Sequence, residues 1–204
     1  MSGHKLYSAA AARNAGPVSD GLAALFGTEG AVLEIASGTG EHAARLCADH
    51  PGLRWQPSDP DDASRRSADA RAAELPGGQM LPALALDVTA PGWWQAAGGP
   101  YDAVFCANMI HIAPPEATEG LFRGAGAVLT ADDAAVLLYG PFSRRGAMAP
   151  SNHRFDASLK ARDPAWGVRD LDDIVQPAAA RFGFALGAVR EMPANNLMVR
   201  FERN

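Results

Sequence analysis

The sequence predicts an α/β fold in which a mostly parallel sheet is covered by helices on both faces, and three observations carry that expectation. Apolar strand patterns alternate with amphipathic helix patterns along most of the 204 residues, and such alternation implies parallel strands joined by right-handed crossovers. One strand pattern, Ala31 to Ala36, runs into the glycine turn Ser37-Gly38-Thr39-Gly40 and then straight into a helix at Glu41. Gly38 and Gly40 allow a tight turn and a close backbone approach to a ligand. Nineteen residues after Gly40, Asp59 closes a second short strand, where a carboxylate can accept both hydroxyls of a ribose.

Taken in order, an arm and a short helix fill residues 1–28: Pro17-Val18-Ser19-Asp20 opens the helix and Gly27 stops it after Phe26. Strands are expected at 31–36, 53–58, 80–87, 101–108 and 134–140, and helices near 40–49, 60–74, 115–129 and 169–182. Pro91-Gly92-Trp93-Trp94 gives the helix after the third strand a ragged start, and Pro177 should kink or divide the last one. Two further strands, Phe184 to Glu191 and Leu197 to Arg203, close the pattern as a hairpin, for seven strands in one domain over residues 1–204. The long interruption at residues 141–168 is rich in Pro, Gly, Arg, Ser and Asn. A loop of that length inside a compact domain is usually functional or disordered, and Asn152, Phe155, Asp156, Leu159 and Trp166 give it anchors enough to be a substrate loop.

Composition bounds the function. With 48% apolar and 20% charged residues, the chain reads as a globular, cytoplasmic protein with no spanning segment and no leader peptide. A net charge of −5 without a clustered basic face argues against nucleic acid and favours a small-molecule partner. Cys47 and Cys106 lack a CxxC partner or a histidine at metal spacing, so two reduced core thiols and no metal are expected. No serine sits in a Gly-x-Ser-x-Gly elbow, which removes the hydrolase reading.

The chemistry concentrates after the fourth strand, at Asn108-Met109-Ile110-His111. An amide at Asn108 can orient a ligand, and an imidazole of pKa near 6.5 at His111 can accept a proton from a hydroxyl or amine. The alternative for His111 is a ring that packs beneath the following loop and bonds the backbone. His4 and His50 read as exposed, and His42 as packing near the glycine turn. His153, beside Asn152 in the long loop, is a substrate candidate. Asn195-Asn196 can anchor a substrate through amides that both donate and accept, or can simply shape a turn.

Gly38-Thr39-Gly40-Glu41-His42-Ala43 also satisfies a dinucleotide pattern, so the glycine turn alone leaves the cofactor open. Glu34 within the first strand, Asp87 at the end of the third and the terminal hairpin resemble class I S-adenosylmethionine-dependent methyltransferases. Within that class the chain is similar to a methyltransferase-like family once known only as a domain of unknown function. The matching stretches include Arg13-Asn14, Glu34 to Gly40, Gln56 to Asp59, Leu86-Asp87-Val88, Ala107 to Ile112, Tyr139 to Phe142, Ser151-Asn152 and Met192 to Leu197. Ala36 departs from the glycine that many methyltransferases place there, though it is small enough to keep the turn. The resemblance implies a Rossmann-like seven-stranded sheet with an antiparallel C-terminal hairpin. It implies S-adenosylmethionine, leaving as S-adenosylhomocysteine, held by Arg13, Asn14, Glu34, Ala36, Gly38, Gly40, Asp59, Asp87, Val88 and Asn108. Asn108 and His111 would then stand at the reacting centre, with Asn152, His153, Asn195 and Asn196 on the acceptor side. A non-catalytic cofactor-binding regulator and a nicotinamide-dependent oxidoreductase are the competing readings.

Overall fold

The structure is a computed structural model that describes residues 5–204; His4 lies outside the described residues. Six strands form one sheet: β1 (Glu29–Ile35), β2 (Gly52–Pro57), β3 (Ala103–Ala107), β4 (Ala135–Gly140), β5 (Phe184–Met192) and β6 (Asn196–Arg203), in the order β2-β1-β3-β4-β6-β5. The first four are parallel, β6 runs antiparallel to β4, and β5 pairs with β6 as the terminal hairpin.

The seventh expected strand, 80–87, does not form. That segment follows β2 in extended course through two isolated bridges, Trp55 with Met80 and Ser58 with Leu84. Pro57, two residues after Trp55, has no N–H to continue the ladder, and the register slips by one residue between the two bridges, Leu84 rather than Ala83 donating to the Pro57 carbonyl. Gln56 spans the gap, its Nε2 donating to the Pro82 carbonyl at 2.7 Å.

Helices α1 (Ala9–Leu25), α2 (Glu41–Asp49) and α3 (Asp62–Ala72) lie on one face; α4 (Glu116–Val128) and α6 (Gln176–Ala180) lie on the other. Alternation along each strand divides the core. Val32, Phe105, Leu137, Tyr139 and Met198 meet Val18, Leu22, Leu46 and Ala68, while Leu33, Val104, Val136, Leu138 and Phe201 meet Leu121, Phe122, Ala125 and Ala179. Because both faces are covered, β3 and β4 carry no charged residue, which makes them legible as apolar runs.

Helix α1 starts eight residues earlier than Pro17 suggests. Ser8 caps it by accepting the Ala11 N–H at 3.2 Å, and the alanine-rich run carries the helix through Pro17. The expected loop at 141–168 contains a helix, α5 (Pro150–Arg162), with Pro150 in its first turn and Lys160 and Arg162 in its last. Only Asn152 and Leu159 are buried along it, so it has no apolar stripe by which periodicity could reveal it. The helix expected at 169–182 is divided: Asp170 caps a π-helical turn, Leu171–Val175, which passes into α6 with Pro177 in its first turn.

Candidate functional site

The carboxyl end of β1 runs into a turn whose backbone is left-handed at Ala36 (φ 56°), Gly38 (φ 54°) and Gly40 (φ 76°). A side chain at Gly40 would also strike the backbone of Ala68 on α3 at 2.7 Å, so this glycine is required for helix packing as well as for its dihedral. Asp59, just beyond β2, braces the turn. Its Oδ2 accepts the Gly38 N–H and its Oδ1 the Asp61 N–H, both at 2.9 Å. Burial raises the Asp59 pKa above the usual carboxylate value, against the opposing effect of those N–H groups.

A cavity of about 590 Å3 opens here, lined by Ala36, Gly38, Asp59, Ser64, Asp87, Val88, Thr89, Ala107 and Met109, with Ile112, Pro114 and Trp166 closing one wall. It lies outside the carboxyl ends of the parallel strands, where ligands of open α/β sheets bind, and its size suits a cofactor-sized molecule. Asp87 accepts the N–H and hydroxyl of Thr89 through one oxygen, at 2.9 and 2.7 Å.

Several expected contacts lie elsewhere. Glu34 is 1% exposed and does not line the cavity; its Oε2 accepts the Trp55 indole N–H at 2.9 Å, and burial raises its pKa to about 7. It acts on the turn from beneath, through its own carbonyl, which accepts the Ser58 hydroxyl at 2.7 Å. Arg13 is exposed and borders neither this cavity nor the second one. Asn14 Oδ1 lies 2.7 Å from His42 Nε2. His42 is buried, which lowers its pKa to about 4.

A second cavity, of about 450 Å3, lies beyond β4, lined by Phe142, Arg144, Met148, Asn152, Glu191, Met192, Asn195, Asn196 and Leu197. Three of the four expected acceptor-side residues therefore converge. Asn152 Nδ2 donates to the Asn195 carbonyl at 2.9 Å, Asn195 Nδ2 to the Ser151 hydroxyl at 2.9 Å, and Asn196 Nδ2 to the Tyr139 hydroxyl at 3.1 Å. Ala194 and Asn195 are left-handed, so Asn195 also serves the turn. His153 is exposed and does not line this cavity.

Asn108 and His111 line neither cavity. Asn108 is left-handed (φ 62°) and begins the 3-10 turn Met109–His111, its carbonyl accepting the His111 N–H at 3.0 Å. His111 is 0% exposed. Its Nδ1 accepts the Arg169 N–H at 3.2 Å, which places the ring proton on Nε2. Burial and the Arg169 charge lower its pKa to about 3. Nε2 has no partner among the described residues and faces Gly140, where a Cβ would lie 2.7 Å away. His111 thus packs beneath the following segment and bonds its backbone, the alternative to a base role, and its ring lines neither cavity.

The sequence reading passed over Arg169, whose guanidinium donates to the carbonyls of Ile110, Ala113 and Ala165 at 2.9, 2.8 and 2.7 Å. It also missed Met109, Ile112 and Pro114 as cavity wall. Their one sequence signal was position, directly after a strand that ends at the ligand edge.

The chain is similar in fold to an O-methyltransferase family protein from Burkholderia thailandensis, with a TM-score of 0.79, 18% identity, and 96% of this chain and 57% of that one covered. It is similar also to the mitomycin 7-O-methyltransferase MmcR (TM-score 0.80, 14% identity, 96% and 54% covered). Human N-acetylserotonin methyltransferase in complex with SAM shares the fold as well (TM-score 0.74, 11% identity, 96% and 53% covered). The chain spans little more than half the length of each. A family model described as "Protein of unknown function (DUF938)" matches residues 5–203. The chain belongs to that family.

Proposed function

We propose that this protein is an S-adenosylmethionine-dependent methyltransferase acting on a small-molecule acceptor. The observation that carries the reading is Asp59, held by two backbone N–H groups at the rim of the 590 Å3 cavity beside the glycine turn. Fold neighbours bearing methyltransferase names, one of them in complex with SAM, support it.

The residues present fit the group. The carboxylate of Asp59 keeps lone pairs for ribose hydroxyls after accepting two N–H groups. Asp87 uses one oxygen on Thr89 and would offer the other to an adenine amino group. Leu86, Val88, Met109 and Ile112 supply apolar walls for a flat ring. Gly38 and Ala36 allow close approach by the methionine part, with Glu34 and Gly40 fixing the turn from behind.

When bound, this cofactor supplies an electrophilic methyl group on a sulfonium sulfur. Asn108, whose neighbours Ala107 and Met109 line the first cavity, sets the course of the chain at its edge, and His111 secures that segment by accepting the Arg169 N–H. The second cavity, with Asn152, Asn195 and Asn196, receives the acceptor. Proximity and desolvation then supply most of the rate.

Calorimetric titration with S-adenosylhomocysteine, S-adenosylmethionine and NAD tests the reading. Binding of the first two and not of NAD is expected; binding of NAD alone overturns it. A methyl-transfer screen over hydroxyl, amine and thiol compounds then separates an enzyme from a regulator that only binds.

A further inference from the structure

The backbone of the N-terminal arm and the apex of the glycine turn are held by the same two side chains. On α3, Ser67 and Arg71 stand one helical turn apart and face the same way. The Thr39 carbonyl, at the apex of the turn, accepts the Ser67 hydroxyl and Arg71 Nε, both at 2.8 Å. The other face of the same pair holds Leu6, whose N–H donates to Ser67 Oγ at 2.9 Å and whose carbonyl accepts Arg71 Nη2 at 2.7 Å. Glu41 adds a second tie, its Oε2 accepting the Ser8 N–H at 2.8 Å and the Thr39 hydroxyl at 2.7 Å. Arg71 is largely covered, with 18% of its side chain exposed, and stands 3.7 Å from Glu41 Oε1.

The consequence runs through covalent geometry. Thr39 is flanked by Gly38 and Gly40, both left-handed, and glycines have the least intrinsic stiffness of any residue. A turn built from them relies on its ties, and beside the Gly40 N–H bond to the Ser37 carbonyl and the Asp59 brace, the groups that hold Thr39 fix its dihedrals. Gly38 in turn presents its N–H to Asp59 Oδ2. Displacing the Thr39 carbonyl therefore moves the carboxylate at the cavity rim, although neither Arg71 nor Leu6 lines that cavity.

We propose that Arg71, with Ser67, is a positioning residue that couples the docked N-terminal arm to the cofactor turn, so that ordering of Leu6 to Ser8 and ligand binding at Asp59 favour each other. This rests on the cavity being the cofactor site. A planar guanidinium suits the task because it donates to two carbonyls in fixed directions at once, which a lysine ammonium on a flexible stem does not. Linkage makes the effect reciprocal: a ligand that fixes the turn must also protect the arm.

The test uses the whole chain and S-adenosylhomocysteine as probe. Arg71→Ala and Arg71→Lys remove the shared clamp from the turn and the arm together. Leu6→Pro removes the arm's N–H bond to Ser67 and leaves α3 and the turn unaltered. Each variant is titrated calorimetrically, its melting temperature recorded, and amide exchange followed at residues 6–8 with and without ligand. The expected result is about tenfold weaker binding in Arg71→Ala and in Leu6→Pro, within the range of site-to-site couplings, with Arg71→Lys failing to rescue. In the unmodified protein the ligand should slow exchange at Leu6 and Ser8. That slowing should vanish in Arg71→Ala. Should Arg71→Ala fail to fold, Leu6→Pro and the exchange measurement decide alone. Binding within twofold of the unmodified protein in a folded Leu6→Pro, or exchange at the arm indifferent to ligand, overturns the coupling while leaving the cofactor site standing. No binding by the unmodified protein removes the cofactor reading and the coupling with it.

Discussion

Asp59 accepts the backbone N–H of Gly38 at 2.9 Å, so the carboxylate at the cavity rim and the glycine turn form one unit. Substituting Asp59 by Ala removes a ligand acceptor and frees the turn together. S-adenosylhomocysteine affinity should fall by about 1.5 to 3 kcal/mol, the scale of a hydrogen bond to a charged group. Asp59→Asn, which keeps one acceptor oxygen, should lose less. Calorimetry on both variants decides, and equal affinity in Asp59→Ala would falsify the assignment of this carboxylate to the cofactor.

Glu34 gives a dependence of stability on pH. Its folded-state pKa is raised from 4.5 to about 7 by burial, so the fold prefers the protonated carboxyl. The stability that preference confers is complete below pH 4.5 and is lost as pH rises through about 7. Glu34→Gln keeps an acceptor for the Trp55 indole and cannot ionise. It should match the unmodified protein near pH 4 and exceed it at pH 8 by up to about 3 kcal/mol. Urea unfolding at the two pH values measures the difference; parallel curves would show that Glu34 is not charged at a cost.

His111 acts in the opposite direction. Burial depresses its pKa from 6.5 to about 3, so its contribution is complete above pH 6.5 and disappears as pH falls through about 3. His111→Gln, which can still accept the Arg169 N–H, should flatten the loss of stability between pH 6 and pH 4. Once an acceptor is found, turnover should show no inflection from this ring near neutral pH. An inflection near pH 6.5 that disappears in His111→Gln would restore the base role.

Gly120 faces the cavity from behind. It lies on α4, and a methyl group there would run into the carbonyl oxygen of Val88, while Val88 and Thr89 line the cavity. Backbone rather than a flexible side chain would have to move. Gly120→Ala should destabilise by about 1 to 3 kcal/mol, as overpacking does, and weaken S-adenosylhomocysteine binding in the same protein. Thermal melts with and without ligand check both effects; a shift in stability with affinity intact would separate the helix from the cavity wall.

Asn152 tests the acceptor side. Its Nδ2 bond to the Asn195 carbonyl joins α5 to the turn before β6. Asn152→Ala should loosen that junction and lower turnover of any identified acceptor about tenfold or more, by misplacing it, while S-adenosylhomocysteine affinity stays unchanged. A loss of cofactor affinity equal to the loss of turnover would place Asn152 on the wrong side of the site.

The sequence by itself determined what depends on neighbours along the chain. The glycine turn, the strands buried on both faces and the terminal hairpin were legible because dihedral permissiveness and apolar runs are local properties. Ala36, Gly38 and Asp59 line the cavity because a strand end fixes where its next residues emerge, and Asp87 lines it although the strand expected before it does not form. Tertiary structure decided the rest. Pro57 comes opposite residues 80–87 only once that segment lies against β2, and its missing N–H together with a one-residue slip in register removes the seventh strand from the ladder. Helix α5 is nearly all exposed, so burial left no periodic trace of it. Glu34, Asn14 and His111 carried the right chemistry for a site, but which way each points was settled by Trp55, His42 and Arg169, residues 21, 28 and 58 positions away. Ser67 and Arg71 meet Leu6 and Thr39 only through folding, because a side chain's partner across the fold is set by the packing of whole elements and not by spacing within one.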